Sequence, residues 1–295
     1  MTVTSPCTGI CKLDDATGWC LGCGRSGDEI GFWGSETEGW RAQVWDLIPQ
    51  RLRHLGVAGH RLPWTTQEIR AFVATSLEQQ TGTWVMGVVG AVAEFKAPPD
   101  TPVDVTVQGD HVIARTRNGA LRMLINEEVR ALAFDPPDQG AHPRILLAAK
   151  RERGRLPVSR GVADLGEDRE SLLPDRGNAL FDLGLCRKEA RFCVRVAEGA
   201  AKEALQRASG LPIAEGLSQI GAALLAESPT RIVETALGRI EVQGQIPGPN
   251  ARSPDGSHTH LLPDHLETGR ALPVGMDLPR AYLPGAIFWR TALPS

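Results

Sequence analysis

Four of the six cysteines in this 295-residue chain fall between positions 7 and 23, as Cys7, Cys11, Cys20 and Cys23 in the spacing C-x3-C-x8-C-x2-C. Within each pair the two sulfurs are close enough along the chain to reach one centre. Gly9, Gly18, Gly22 and Gly24 permit the tight backbone such a loop requires. The stretch is too polar to fold around an apolar core of its own, so the thiols themselves are expected to organise it. Four soft thiolate ligands select zinc or an iron-sulfur centre over hard cations such as magnesium or calcium. A structural zinc closes a tetrahedral site with four cysteines, and an iron-sulfur cluster uses the same four. Both remain open from the spacing. The short gap between the pairs favours the iron-sulfur cluster, because zinc-ligand pairs are often separated by longer loops.

Two disulfides or four unliganded cysteines are the alternatives, and disulfides belong to oxidising compartments. The opening residues, MTVTSPCTGIC, lack the basic and apolar regions of a secretory signal, so a cytoplasmic location with reduced thiols is expected. The longest mostly apolar stretch, Trp84 to Phe95, is about half the roughly 20 residues of a membrane span and contains Gly87 and Gly90. No membrane association is expected. The formal net charge of −3 gives no reason to expect nucleic acid as the main partner, and a protein partner fits better.

Beyond the cysteines the chain alternates strand and helix signals. Ser26 with Glu29, and Thr65 with Glu68, have capping-box spacing and open helices. A pattern from about Glu36 places Trp40, Val44, Leu47 and Ile48 on one helical face until Pro49 disturbs it, with Leu52 and Leu55 resuming. Residues 103–125 contain three β-prone segments separated by Gly109-Asp110 and Asn118-Gly119, the turn chemistry of a hairpin meander. Further strands are expected at 144–150 and 191–196, with a hairpin turning near Leu237-Gly238. Two helices are expected within 198–210 and 216–229. Regular βαβ alternation is missing, so the fold class is α+β with a mainly antiparallel sheet and a few helices. Residues 1–57 read as a small metal-binding module and 58–295 as a larger α+β domain. From Ile246 onward, Pro and Gly predict an irregular tail over the surface.

The first 55 or so residues closely resemble the bacterial family catalogued as domain of unknown function 1289, whose members are labelled predicted iron-sulfur proteins. The Ser5-Pro6-Cys7 opening, the Gly9-x-Cys11 step, the segment Gly18 to Arg25 and Asp28-Glu29-Ile30 carry the resemblance. It implies that Cys7, Cys11, Cys20 and Cys23 are the ligands of the centre. Gly34, Gly39 and Pro49 depart from the regular tryptophan-containing helix that follows in that family. The remainder is similar to an uncharacterised proteobacterial family through Gly90 to Phe95, Leu180 to Leu185, Gly238 to Val242 and Ser253 to Pro263. That family supplies no activity.

In the larger part, His258 and His260 are two apart, so in extended chain both imidazoles point the same way and can meet one metal ion, with Asp255, Asp264 or His265 as further ligands. Asp182, in the apolar run LFDLGL, is a candidate acid or base, set against a carboxylate that caps a turn or pairs with an arginine. Cys186 and Cys193 read as packed rather than reactive. No GxxxxGK[ST], GxGxxG after a strand, GxSxG or HExxH occurs, which disfavours nucleotide, dinucleotide and common hydrolase chemistry. The leading expectation is an accessory metalloprotein that transfers electrons, senses redox state or docks a partner. The alternative is an enzyme with a metal or acid/base site around His258 and His260.

Overall fold

The structure is a computed structural model and describes residues 4–88, 91–98, 100–134, 143–151, 156, 159–174, 177–185, 190–248, 255–261, 276, 278–279 and 281–290. The cysteine loop leads into α1 (Gly27–Phe32) and α2 (Glu38–His54). Ser26 caps α1 as its spacing predicts: its hydroxyl accepts from the Glu29 N–H, and the Glu29 carboxylate accepts from the Ser26 N–H. Pro49 does not break α2, contrary to the expectation of a disturbance there. Losing one backbone donor is outweighed by the buried stripe Val44, Trp45, Ile48 and Leu52, against which Trp33, Trp40, Leu55 and Val57 pack.

The larger part follows with β1 (Gly59–Arg61), α3 (Thr66–Glu78), β2 (Gly82–Val88), β3 (Ala91–Phe95), β4 (Asp104–Gln108), β5 (His111–Arg115), β6 (Gly119–Leu124), β7 (Val129–Phe134), β8 (Arg144–Lys150), β9 (Ala163–Glu167), β10 (Ala179–Asp182), β11 (Ala190–Val196), α4 (Ala200–Arg207), α5 (Ile213–Glu227), β12 (Thr230–Thr235), β13 (Gly238–Val242), β14 (His258–Leu261) and β15 (Tyr282–Arg290). The strands form two sheets, one ordered β1-β7-β8-β15-β2-β3-β14 and the other β4-β5-β6-β13-β12-β11-β10-β9. Every strand pair among the described residues is antiparallel, as the α+β reading requires.

The sheets pack face to face. Alternate residues of β2, β3 and β15 in the first sheet, among them Trp84, Met86, Ala93, Phe95 and Phe288, meet Leu121, Phe192, Val194, Val233 and Ile240 of the second in one core. The two turn signals Gly109-Asp110 and Asn118-Gly119 do join β4, β5 and β6 into a meander.

The expected irregular tail is corrected by the structure. β15 spans nine residues and lies between β8 and β2, in the interior of the first sheet. Pro284 and Gly285 disguise it in the sequence. The pairing with β8 shifts register between Pro284 and Ala286, an irregularity that accommodates the proline without ending the strand.

The N-terminal module is seated on the larger part. Arg61 of β1, largely buried, donates to the carbonyl of Ser5 and to that of Cys7 (3.4 Å). Burial, reinforced by the nearby Arg130 charge, lowers the Arg61 pKa to about 10. The Trp45 indole N–H reaches back 2.9 Å to the Thr4 carbonyl and ties the first described residues to α2.

Candidate functional site

The two cysteine turns have the same local design. The Gly9 N–H points at the Cys7 sulfur and the Gly22 N–H at the Cys20 sulfur, each at 3.4 Å. A glycine two residues after a cysteine therefore aims a backbone donor at the sulfur in both turns. The turns meet across Gly22, where the Thr8 hydroxyl donates to the Gly22 carbonyl (3.0 Å). A Cβ on Gly22 would lie 2.7 Å from both the carbonyl oxygen and the Cβ of Ile10, so only glycine allows this approach.

Cys20 and Cys23 are buried, Cys7 is half-buried and Cys11 is exposed. The Cys20 thiol donates to the Ile10 carbonyl at 3.0 Å. Burial pushes the Cys23 thiol up, against an opposing pull from Arg25, whose Nε lies 3.4 Å from the sulfur. Arg25 is itself buried and lies over the Trp33 ring (4.7 Å). Arg51 is held by Glu29 (2.6 Å) and donates to the Gly24 carbonyl (3.2 Å), closing the second turn onto α2. Two buried guanidinium groups, Arg25 and Arg61, thus bracket the cysteine turns.

A second group lies on the first sheet. β14 pairs with β3 so that His258 sits directly opposite Glu94 and His260 opposite Val92. Ala91, Ala93 and Phe95 of β3 face the core between the sheets, so Glu94 projects from the outer face, and His258 and His260 share it. The His258 Nε2 is 3.5 Å from one Glu94 oxygen and the His260 Nε2 is 3.6 Å from the other. The rings meet edge to face with centroids 4.3 Å apart. Burial and the neighbouring His258 lower the pKa of His260, and Glu94 opposes this. Among the described residues, Glu94, His258 and His260 are the one group of three or more histidine, cysteine or carboxylate ligand atoms within 4.8 Å of one another. The four cysteine sulfurs do not draw that close in threes.

Residues 68–289, most of the chain, match the model of a family described as "Family of unknown function (DUF6925)". The chain belongs to this family. The β14–β3 group lies inside the DUF6925 region, and the cysteine turns lie outside it. Residues 5–52 match a second model, "Protein of unknown function (DUF1289)", which contains all four clustered cysteines. Over 50 residues the chain is 46% identical to the uncharacterized protein YdhL of Escherichia coli (strain K12), and equally to that of Shigella flexneri. The aligned stretch covers 17% of this chain and 62% of each YdhL, so the chain spans less than two thirds of the curated relatives it matches. No solved structure matches it.

Within the DUF6925 domain, Asp182 does not join the histidines. Phe181 faces the core between the sheets, which turns Asp182 to the outer face of the second sheet, on the far side of the sandwich. There it is fully buried and accepts from the Gly184 N–H at 2.9 Å. The same outer face carries a buried ion network. Arg195 binds Asp168 (2.8 Å) and Glu241 (3.1 Å), Arg239 binds Asp168 and Glu234 (3.0 Å), and Arg191 binds Glu234. Three guanidiniums face three carboxylates, so the charges cancel, as in a network that holds structure together. Burial raises the Asp168 carboxyl, but bonds from Arg239 and Arg195 outweigh it and leave its pKa low.

Cys193 is buried beside Leu180 and Ile232, as a packed cysteine should be. Cys186, Asp264 and His265 lie outside the described residues, and Asp255 is exposed and stands apart from the histidine pair. Glu94 had no signal of its own in the sequence. Its one local cue is the alternation of AVAEF, which puts a single charged residue on the face opposite the alanines. Among the described residues no helix is long and apolar enough to cross a membrane.

Proposed function

We propose that Cys7, Cys11, Cys20 and Cys23 bind a metal centre, an iron-sulfur cluster with a zinc ion as the alternative, and that the protein works as an accessory metalloprotein. The observation that carries this reading is the paired design of the turns. Each places a glycine N–H at 3.4 Å from the sulfur of its first cysteine, and Gly22 leaves no room for a Cβ between them. The donor set fits the group: four thiolates and a soft or borderline metal. A four-thiolate centre of either kind carries net negative charge, and the buried Arg25 and Arg61 beside it supply the opposite sign.

Cys11 is exposed, and the large apolar side chains Ile10 and Leu13 on either side of it are exposed too, as is Phe32 of α1. A centre at that position lies at the surface, within reach of a partner protein. This supports electron exchange, redox sensing or docking over a buried role. A bound centre would supply either one-electron chemistry or a structural crosslink, and the cysteine turns would hold it in place.

The test is the visible spectrum of anaerobically purified protein, with iron, labile sulfide and zinc analysis. Broad visible absorption with iron and sulfide establishes a cluster. A colourless protein with about one zinc establishes the docking or structural form. Single Cys→Ser variants at 7, 11, 20 and 23 should each lose metal; full metal content in all four variants would sink the reading.

A further inference from the structure

We infer that Glu94, His258 and His260 form a second metal site, in the DUF6925 domain, for a divalent first-row transition ion such as zinc, iron or nickel. This site is independent of the cysteine turns and uses a different donor set.

The geometry is that of ligands around an ion. Distances of 3.5 and 3.6 Å between the imidazole nitrogens and the Glu94 oxygens are too long for hydrogen bonds. They approach the edge of a tetrahedron of ligands, about 3.4 Å for metal–ligand bonds of roughly 2.1 Å. Three side chains therefore converge without satisfying one another, and an ion between them would satisfy all three.

The supports behind the ligands point the same way. The His258 Nδ1 lies 2.8 Å from the Gly256 carbonyl, which can only accept. With Nδ1 donating to that carbonyl, Nε2, 3.5 Å from a Glu94 oxygen, is the ring nitrogen left to ligate an ion. Fixing the tautomer through the other ring nitrogen is the usual way a metal-binding histidine is oriented. The turn that presents Gly256 is itself anchored. Ser257, buried, accepts from the Lys96 N–H and donates to the Lys96 carbonyl, both at 3.2 Å. Gly256 has φ +91°, and a Cβ there would come within 3.0 Å of Pro98. The β-ladder register thus places both rings, and the Gly256 carbonyl and the Ser257 clamp further fix that of His258.

Two neutral imidazoles and one carboxylate carry a single negative charge, which suits a divalent ion. Nitrogen donors select transition metals over magnesium and calcium. Three protein ligands leave a fourth position free. The side chains are 15%, 28% and 35% exposed for His258, Glu94 and His260, so that position faces solvent and takes water or a small oxygen-donor anion.

The experiment is a cobalt(II) titration of the full chain followed by absorption spectroscopy. Thiolate ligation gives a sulfur-to-cobalt charge-transfer band, whereas the histidine-carboxylate site gives weak visible bands without it. The expected result is one equivalent of cobalt bound without charge transfer, and a weakening of at least about tenfold in His258→Ala, His260→Ala and Glu94→Gln. Cobalt bound with charge transfer alone, or variants that titrate like the wild type, would overturn the inference. Should a variant fail to fold, pulsed electron paramagnetic resonance of the copper(II)-loaded wild type decides: two coordinated imidazole nitrogens support the site, and their absence refutes it. Because the two centres differ in spectrum, loss of the thiolate signal counts against the cysteine reading alone.

Discussion

Thr8 and Gly22 touch across the two cysteine turns: the Thr8 hydroxyl donates to the Gly22 carbonyl at 3.0 Å, and a Cβ on Gly22 would stand 2.6 Å from that hydroxyl oxygen. The Cys7–Cys11 turn and the Cys20–Cys23 turn are therefore held together by a contact that tolerates no side chain. Gly22→Ala should separate the turns, lower metal content and destabilise the module by about 1–3 kcal/mol. Gly31→Ala, where nothing lies within 4 Å of the added Cβ, is the control and should be neutral or slightly stabilising in α1. Equal metal content in the two variants would show that the contact does not matter.

Glu29 links the α1 cap to Arg51 and gives the module a pH dependence. Burial raises its carboxyl, but the bonds from Arg51 and the Ser26 N–H outweigh it and hold the pKa below the usual 4.5. The folded pKa is depressed, so the stabilisation is fully present above pH 4.5 and is lost as pH falls through the folded value. In chemical denaturation followed by tryptophan fluorescence, wild type should exceed Glu29→Gln in stability at neutral pH, and the two should converge in acid. A gap that persists unchanged at pH 3 would mean the carboxylate charge is not what secures Arg51.

Arg239 is almost wholly buried and binds Asp168 and Glu234 together. Arg239→Met should leave those carboxylates short of charge and cost about 3–5 kcal/mol. Arg122, whose partner Glu170 is 64% exposed, offers the comparison, and Arg122→Met should cost about 0–1 kcal/mol. Urea midpoints of the two variants measure the contrast, and similar losses would refute the buried-network account.

Gly285 of β15 faces Leu237, which sits in the turn between β12 and β13 and is 2% exposed. A Cβ at 285 would overlap the Leu237 side chain, so Gly285→Ala should destabilise the sandwich by about 1–3 kcal/mol. Adding Leu237→Ala should recover part of that loss, and the thermal midpoints of the double-mutant cycle measure the coupling. Strict additivity would show that the two side chains do not compete for the same space.

What the sequence determined by itself is what depends on neighbours along the chain. The capping boxes at Ser26 and Thr65 form as spaced, because cap and partner are three residues apart. Gly109-Asp110 and Asn118-Gly119 turn the chain because their own backbone preferences suit turns. The four cysteines are recognisable because their spacing is local. The tertiary structure decided the rest. β15 was hidden by Pro284 and Gly285, and its place between β8 and β2 depends on strands contributed by distant parts of the chain. Glu94 meets His258 across 164 positions of sequence only because β14 pairs with β3 in that register. Asp182, which the sequence offers beside the histidines, lies on the opposite outer face because Phe181 turns into the core. Local rules act through bonds and short-range sterics, whereas strand pairing and the choice of face are settled by which long-range packing buries the most apolar surface.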